Sequence, residues 1–347
     1  MKITIIGSSG KVARQTVQAA YNFNVLPEIE MVLISQNPDL VNGYVLDLQS
    51  VSALRPSSIV EPVCTITDDY SKISDSDYVF VCAGQFMERN KKEEFRKYDS
   101  SGRLAHTFES LNLIYDIAKN IKEHSPNSTV IVVTNQSDMM AQILRGVLPT
   151  KQVYGFGGML DEARFTKILS QELNTMIPNQ HITPQDVSAE IVGYHNNDMV
   201  LIKDSIQVPE RATEELIKRP NLLTKVLEQT KAYGREISKN ADTRHPTMHT
   251  GASIGPGIAC WTAISALSGQ TSSLKASFNG QLDVEQSKMY GLEEGVSLSV
   301  PWVLSPVGFK SIKGAVCDQK ELQSIKQAAH KMSESMVLLE NLHRNIA

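Results

Sequence analysis

The sequence predicts an α/β fold: a doubly wound parallel sheet followed by a mixed α+β domain. Three observations carry this. Short continuous apolar runs alternate with longer helical stretches through the first 150 residues. A pair of glycines joins the first run to the first helical stretch. After about residue 150 the alternation gives way to longer elements of both kinds. With 347 residues and 41% hydrophobic residues, the chain can build two modest domains with real cores.

The strands come first. KITII (2–6), MVLI (31–34), DYVFVC (77–82) and TVIVV (129–133) are short apolar runs of the kind buried on both faces. KVARQTVQAA and LNLIYDIAKNIKEH lie between them as helices. In the second, Leu111, Ile114, Ile117, Ala118 and Ile121 recur at three- and four-residue steps and form one apolar stripe. That stripe leaves Tyr115 and Lys119 as flank residues, so the Tyr-x-x-x-Lys spacing there is coincidental. Strand–helix alternation implies a parallel sheet covered by helices. The charged stretch ERNKKEEFRK (88–97) is expected to be a mobile loop, an exposed helix turn being the alternative. Beyond residue 150, LDEARFTKILSQEL reads as a helix, the segments around 187–208 and 295–303 as strands, and ELQSIKQAAHKMSESMVLLENL (321–342) as a long amphipathic helix. Two domains are expected, over 1–150 and 151–347.

Composition narrows the function. A net charge of −4 gives no basic field for nucleic acid or an anionic membrane. Cys64, Cys82, Cys260 and Cys317 are far apart and form no CxxC pair, so neither a zinc cage nor a disulfide framework is expected, and no metal is implied. The run ITII is too short for a signal-peptide core, and no stretch approaches a membrane span. A soluble cytoplasmic protein is expected.

In KITIIGSSGKVA a strand runs straight into Gly7-Ser8-Ser9-Gly10 and then a helix. Gly7 permits the tight turn. Gly10 lets a pyrophosphate approach the amides and dipole of the helix start, and Ala13 is small enough for the helix to pack on the strand. This is a Rossmann-type arrangement. NAD enzymes usually close the second strand with a carboxylate for the ribose hydroxyls. Here Ser35, Gln36 and Asn37 follow MVLI, with Asp39 displaced. That removes repulsion against a 2′-phosphate, yet no arginine follows to bind one, so NAD and NADP both stay open.

Further segments then fall into order: VCAG (81–84), VTNQSD (133–138), LDEARF (160–165), GYHNNDMV (193–200) and LSVPWVL (298–304). With IIGSSGKV, their order and spacing resemble the lactate/malate dehydrogenase family over nearly the whole chain. LDEARF, followed about thirty residues later by a G-x-H segment, is the most specific part. The resemblance implies hydride transfer between a nicotinamide and a 2-hydroxy or 2-keto acid, in a homo-oligomer, dimer or tetramer. It places Gly7, Gly10, Lys11, Val12, Ser35, Gly84 and Asn112 along the cofactor. His195 becomes the acid/base, a role that needs a pKa near neutrality, and Asp161 its orienting anion. Arg164, one helical turn from Asp161, becomes the fork for the substrate carboxylate. Asn135 becomes the ligand of the substrate oxygen, and Thr250, in preference to Ser253 of HTGASIG, the hydroxyl on the far side.

Each residue also has an ordinary reading. A lone histidine is usually structural. An Asp–Arg pair one turn apart is usually a surface ion pair worth a few tenths of a kcal/mol, and Asn135 could be a turn former. Their joint order favours catalysis.

The family's lid loop follows the alanine–glycine strand end. Counting back without gaps from Asn112 puts its carbonyl-polarising arginine at Arg103. The substrate-discriminating position becomes Lys97, preceded by Arg96, where a cation would pair with a second carboxylate and favour malate and oxaloacetate. An ammonium lacks the bidentate fork of arginine. The loop carries about ten extra residues near QFMERNKKEEF, so Arg89 with Arg96 is a competing register. Gln136 stands where the family has a proline after a cis peptide. A cis bond before a non-proline costs about 3 kcal/mol, so a rearranged backbone is expected around Asn135. Asn196 replaces a glycine and tolerates the left-handed conformation. Tyr194 replaces a common acidic residue, for which the sequence offers no reason. A lactate or bulkier 2-hydroxy-acid dehydrogenase is the alternative enzyme, and a catalytically decayed dinucleotide-binding homologue the alternative of another class.

Overall fold

The computed structural model describes residues 1–25, 28–85, 95, 103–177, 181–240 and 252–344, the side chains of 103 and 238–240 excepted. In chain order the first elements are β1 (Lys2–Ile6), α1 (Lys11–Phe23), β2 (Glu30–Ile34), α2 (Pro38–Ser50), β3 (Val63–Thr67), β4 (Tyr78–Val81), α3 (Arg103–His124), β5 (Thr129–Val132), α4 (Ser137–Val147) and β6 (Val153–Gly155). Then follow α5 (Gly157–Met176), β7 (Ser188–Val192), β8 (Val200–Gln207), α6 (Glu210–Lys218), α7 (Leu222–Asn240), α8 (Ile254–Leu267), β9 (Leu274–Gln281), α9 (Val284–Tyr290), β10 (Ser297–Ser305), β11 (Gly308–Ser311) and α10 (Gln319–Arg344). No helix among the described residues is long and apolar enough to cross a membrane.

The expected parallel sheet is present, in the order β3-β2-β1-β4-β5-β6. This is the dinucleotide-binding order, with its crevice where the order reverses between β1 and β4. All four strand segments picked out by apolar runs are strands. β4 and β5 are buried along their whole length, and β1 and β2 are buried except for their first residues. β3 and β6 carry no such signal. β3 is the edge strand, only partly buried, and β6 is three residues long.

The sheet does not stop at residue 150. β6 continues the parallel set, and β9, β10 and β11 add to it antiparallel, joined through Gly155 and Asn279. β7 and β8 form a separate antiparallel pair. Gly193, just beyond β7, bridges to Ser299 of β10. One apolar core fills both faces of the large sheet. A second, around Phe165, Leu169, Leu173 and Val226, binds α5 and α7 to the small sheet. α8 returns to pack on α1, where a Cβ at Gly257 would stand 2.3 Å from the Cβ of Gln15. That closeness needs glycine and carries the second half of the chain back to the glycine turn.

Candidate active site

Three strand ends meet at the carboxyl edge of the sheet. Gly7 has φ +85°, and a Cβ there would lie 2.6 Å from the backbone of Ala83. The turn folds back on β2 through the N–H groups of Gly7 and Ser8, both donating to the Ile34 carbonyl. Gly84 lies against Thr134, whose hydroxyl donates to the Ala83 carbonyl at 2.6 Å. The glycine turn, the alanine–glycine strand end and the Thr134-Asn135 segment are thus neighbours by contact.

Gly10 precedes α1 with no side-chain cap, and the first turn of α1 holds no acidic residue. Exposed Lys11 and half-buried Val12 open that turn. Uncapped first-turn amides and a positive helix end fit a pyrophosphate. At the end of β2, Ser35 is buried and its hydroxyl accepts from the N–H of Asn37, while Asn37 caps α2 by accepting from Leu40. Gln36 is exposed beside them. Asn112 lies along α3, exposed, with Oδ1 3.2 Å from Nε2 of His343 on α10.

Three polar side chains are brought together from two elements. Asp161 and Arg164 project from α5, with Oδ1 of Asp161 3.6 Å from a guanidinium nitrogen of Arg164. His195 follows β7, and its Nδ1 stands 2.8 Å from Oδ2 of Asp161. A carboxylate only accepts, so Nδ1 carries the proton and exchange with a substrate falls to Nε2. Asp161 is almost fully buried, whereas His195 and Arg164 keep some exposed surface. The Arg164 guanidinium also lies over the Tyr233 ring, which limits its freedom. His195 thus has a buried carboxylate partner, and the Asp161–Arg164 pair is largely buried rather than exposed.

Asn135 is exposed beyond β5, and the Asn135–Gln136 peptide is cis. The expectation of a rearranged backbone is therefore corrected: the cis geometry is kept without proline. A second correction concerns Asn196. Asp75 is the one non-glycine with positive φ among the described residues, so Asn196 is not left-handed. Its side chain instead accepts from the N–H of Asp198, and its own N–H donates to Tyr194. The left-handed turn falls on Gly193 (φ +115°), where a Cβ would meet the Asp198 carbonyl at 2.7 Å. Tyr194 now has its reason: it is buried, and its hydroxyl donates to the Ser297 carbonyl at 2.6 Å, fastening the histidine segment to β10.

Arg103 begins α3, and its side chain lies outside the described residues. So do Lys97 and Thr250, together with all of ERNKKEEFRK except Phe95. Ser253 is described and precedes α8 without capping it through its side chain.

Three contributors escaped the sequence reading. Gly157 opens α5 directly behind the imidazole, where a Cβ would stand 2.2 Å from the Cβ of His195. Two adjacent glycines starting a helix were the signal. Glu162 points away from Asp161, and its carboxylate accepts from the N–H and hydroxyl of Ser277 and from the N–H of Ile191. It joins the helix bearing Asp161 to β7 and β9. The residue keeps some exposed surface, but its carboxyl head is enclosed; that burial outweighs the three donors and pushes its pKa up to about 7. Asp138, in the first turn of α4, accepts from the His195 main-chain N–H at 2.6 Å. Burial raises its pKa, against the lowering influence of His195 and of Arg145 on the same helix. Arg145, itself pushed down to about 10 by burial, donates to the Val153 carbonyl and to Oδ1 of Asn279.

Residues 1–155 match the family described as lactate/malate dehydrogenase, NAD binding domain. The malate dehydrogenase of Methanosarcina acetivorans is 31% identical over 244 residues, 68% of this chain and 69% of that protein. The probable malate dehydrogenase of Campylobacter jejuni is 28% identical over 298 residues, 84% of this chain and 88% of that one. Among solved structures, malate dehydrogenase from Salinibacter ruber superposes with a TM-score of 0.78 at 24% identity, over 100% of both chains. The lactate dehydrogenase of Cryptosporidium parvum, solved with lactic acid and β-nicotinamide adenine dinucleotide, gives 0.77 at 21% identity, over 98% of each. The structural likenesses show a shared fold.

Proposed function

The chain belongs to the lactate/malate dehydrogenase family, and from that premise we propose that it is an NAD-dependent dehydrogenase interconverting malate and oxaloacetate. The observation that carries the proposal is the gathering of His195, Asp161 and Arg164 across two elements, with His195 tied through Asp138 to the helix that follows Asn135.

A nicotinamide cofactor held along the turn of Gly7 and Gly10 and the start of α1 would supply the hydride to the keto carbon, or accept it in the reverse direction. The chain's own residues do the rest. Nε2 of His195 delivers a proton to the carbonyl oxygen as that oxygen gains charge. Asp161, fixed on Nδ1, stabilises the imidazolium that donates it. Arg164 holds the substrate's first carboxylate with its planar fork. Asn135 bonds the oxygen, and Arg103 polarises the carbonyl from the lid. Lys97 pairs with a second carboxylate, which favours a dicarboxylic acid, and Thr250 closes the far side. NAD rather than NADP is supported by the lack of an arginine after Ser35 to take a 2′-phosphate. Four free, widely separated cysteines support a cytoplasmic location. Association into a homo-oligomer belongs to the same reading.

A panel of oxaloacetate, pyruvate and a branched keto acid, each with NADH and NADPH, tests this. Oxaloacetate with NADH is expected to give the highest kcat/KM, and Lys97→Gln is expected to lower oxaloacetate use more than pyruvate use. Pyruvate or the branched acid winning by tenfold would replace malate with a lactate-type substrate. Preference for NADPH would overturn the cofactor assignment. Cofactor binding without turnover of any keto acid would make the chain a decayed homologue. Elution from a sizing column as a single 38.4 kDa chain would count against the oligomer.

A further inference from the structure

A planar carboxylate is best held by a guanidinium fork whose own plane is fixed. Little within α5 fixes the plane of Arg164. Its side chain is 15% exposed, and Asp161 reaches it only at 3.6 Å, as an ion pair rather than a short hydrogen bond. Among the described residues the guanidinium makes no hydrogen bond. What lies against it is the ring of Tyr233 on α7, with the guanidinium carbon 5.9 Å from the ring centroid. A guanidinium set over an aromatic ring is attracted by the ring's quadrupole, and more strongly where water is excluded.

The ring is itself held at both ends. It packs, half-buried, against the second core, where α5 and α7 meet. Its hydroxyl accepts from Nζ of Lys167 at 2.6 Å. Asp161, Arg164 and Lys167 follow one another at three-residue steps along α5: the first meets His195, the second is the carboxylate fork, and the third ties down the ring. We propose that Tyr233 is a positioning residue for Arg164: its ring sets the guanidinium plane, so that the carboxylate of a keto acid meets a fork already in place. The inference rests on the function proposed above. A loose arginine would give up its torsional freedom each time it bound, and affinity would fall accordingly. No sequence motif falls on α7, so only the packing of α7 on α5 brings the ring to the site.

The test compares Tyr233→Leu with Tyr233→Phe in the full chain. Leucine removes the ring and keeps an apolar side chain; phenylalanine keeps the ring and loses only the bond to Lys167. For Tyr233→Leu, KM for oxaloacetate is expected to rise by about five- to thirtyfold, with kcat within about threefold and the NADH Kd within about twofold of wild type. Tyr233→Phe should keep KM within about threefold of wild type. In an Arg164→Met background, where no fork remains to be set, Tyr233→Leu should lower kcat/KM by less than about twofold. A KM within about twofold of wild type in the leucine variant would overturn the proposal. So would a phenylalanine variant as weak as the leucine one. Losses that add in full in the Arg164→Met background would give the ring a merely structural role and overturn it too.

Two readouts need no turnover. Oxalate, a small carboxylate, should bind the NADH-loaded wild type with a Kd that rises by about five- to thirtyfold in Tyr233→Leu, read by calorimetry. In protein labelled with ¹⁵N-arginine, the Arg164 Nε–H resonance, identified by its loss in Arg164→Lys, should lie upfield in the ring current of Tyr233 and stay there in Tyr233→Phe. An ordinary shift in wild type would remove the contact, even if the leucine variant fails to fold. If wild type reduces no keto acid, the proposed function fails, and an unchanged oxalate Kd in Tyr233→Leu would separately sink the positioning role.

Discussion

At the scale of the residue, the members of the candidate site differ in how they are held. His195 is expected to act by proton transfer, so His195→Asn should lower kcat by about 10²–10⁴-fold with the NADH Kd unchanged. Loss of cofactor binding would instead give the ring a structural role. Arg164 is expected to act through its fork. Arg164→Lys should raise KM for the keto acid more than it lowers kcat, because an ammonium cannot make two parallel hydrogen bonds to one carboxylate. Gly157 acts by having no side chain. The Cβ of Gly157→Ala would fall 2.2 Å from that of His195, and neither atom is a flexible tip. Overpacking of this kind costs about 1–3 kcal/mol, so both Tm and kcat should fall; an unchanged Tm would mean that the ring moves aside freely. His195, Asp161 and Arg164 were named from the sequence because LDEARF and the later G-x-H segment resemble the family's, and the structure brings the three side chains together. Gly157 and Asp138 were not, because each matters only through what folding sets against it.

At the scale of the element, α5 presents Asp161 and Arg164 to the site and uses the neighbouring Glu162 to bind β7 and β9 behind it. The Glu162 carboxyl, raised to about 7 from an ordinary value of 4.5, gives stability a definite pH dependence. Between those values the folded chain keeps a proton that the unfolded chain has released. Stability is therefore greatest below the unfolded value and declines as pH rises through about 7, by at most about 3 kcal/mol. Chemical denaturation at about pH 5 and about pH 8 should show a falling midpoint in wild type and a flatter profile in Glu162→Gln. Parallel profiles would mean that Glu162 stays ionised throughout. The elements themselves were unevenly legible. β1, β2, β4 and β5 announce themselves by continuous apolar runs. β9, LKASFNGQ, does not, since its buried Asn279 is there to accept from Arg145 rather than to pack.

At the scale of the whole molecule, the two halves share one sheet and contact at several further points. β9 joins β6, α8 lies along α1, and Asp138 reaches His195. A ligand resting on the glycine turn should therefore stabilise more than the first half alone. NADH at about a hundredfold its Kd is expected to add ~2.7 kcal/mol, seen as one cooperative transition moved to higher temperature. Two transitions, of which only one moves, would show that the halves unfold independently. The expected division at residue 150 followed the change in pattern. The parallel order runs through Gly155, a continuation left unread because a three-residue strand is too short to leave a periodic signal.

What the sequence determined by itself was a set of local facts: apolar runs long enough for buried strands, glycines where a tight turn needs them, and Asp161 and Arg164 one helical turn apart. Those facts depend on neighbours within a turn or two of the chain. The tertiary structure alone decided that Asp138 meets a backbone N–H 57 residues away, that Gly193 rather than Asn196 takes the left-handed turn, and that Tyr194 fastens the histidine segment to β10. Each is a contact between elements, fixed by how the sheet closes and the helices pack, and no local spacing encodes which buried acceptor will face which donor.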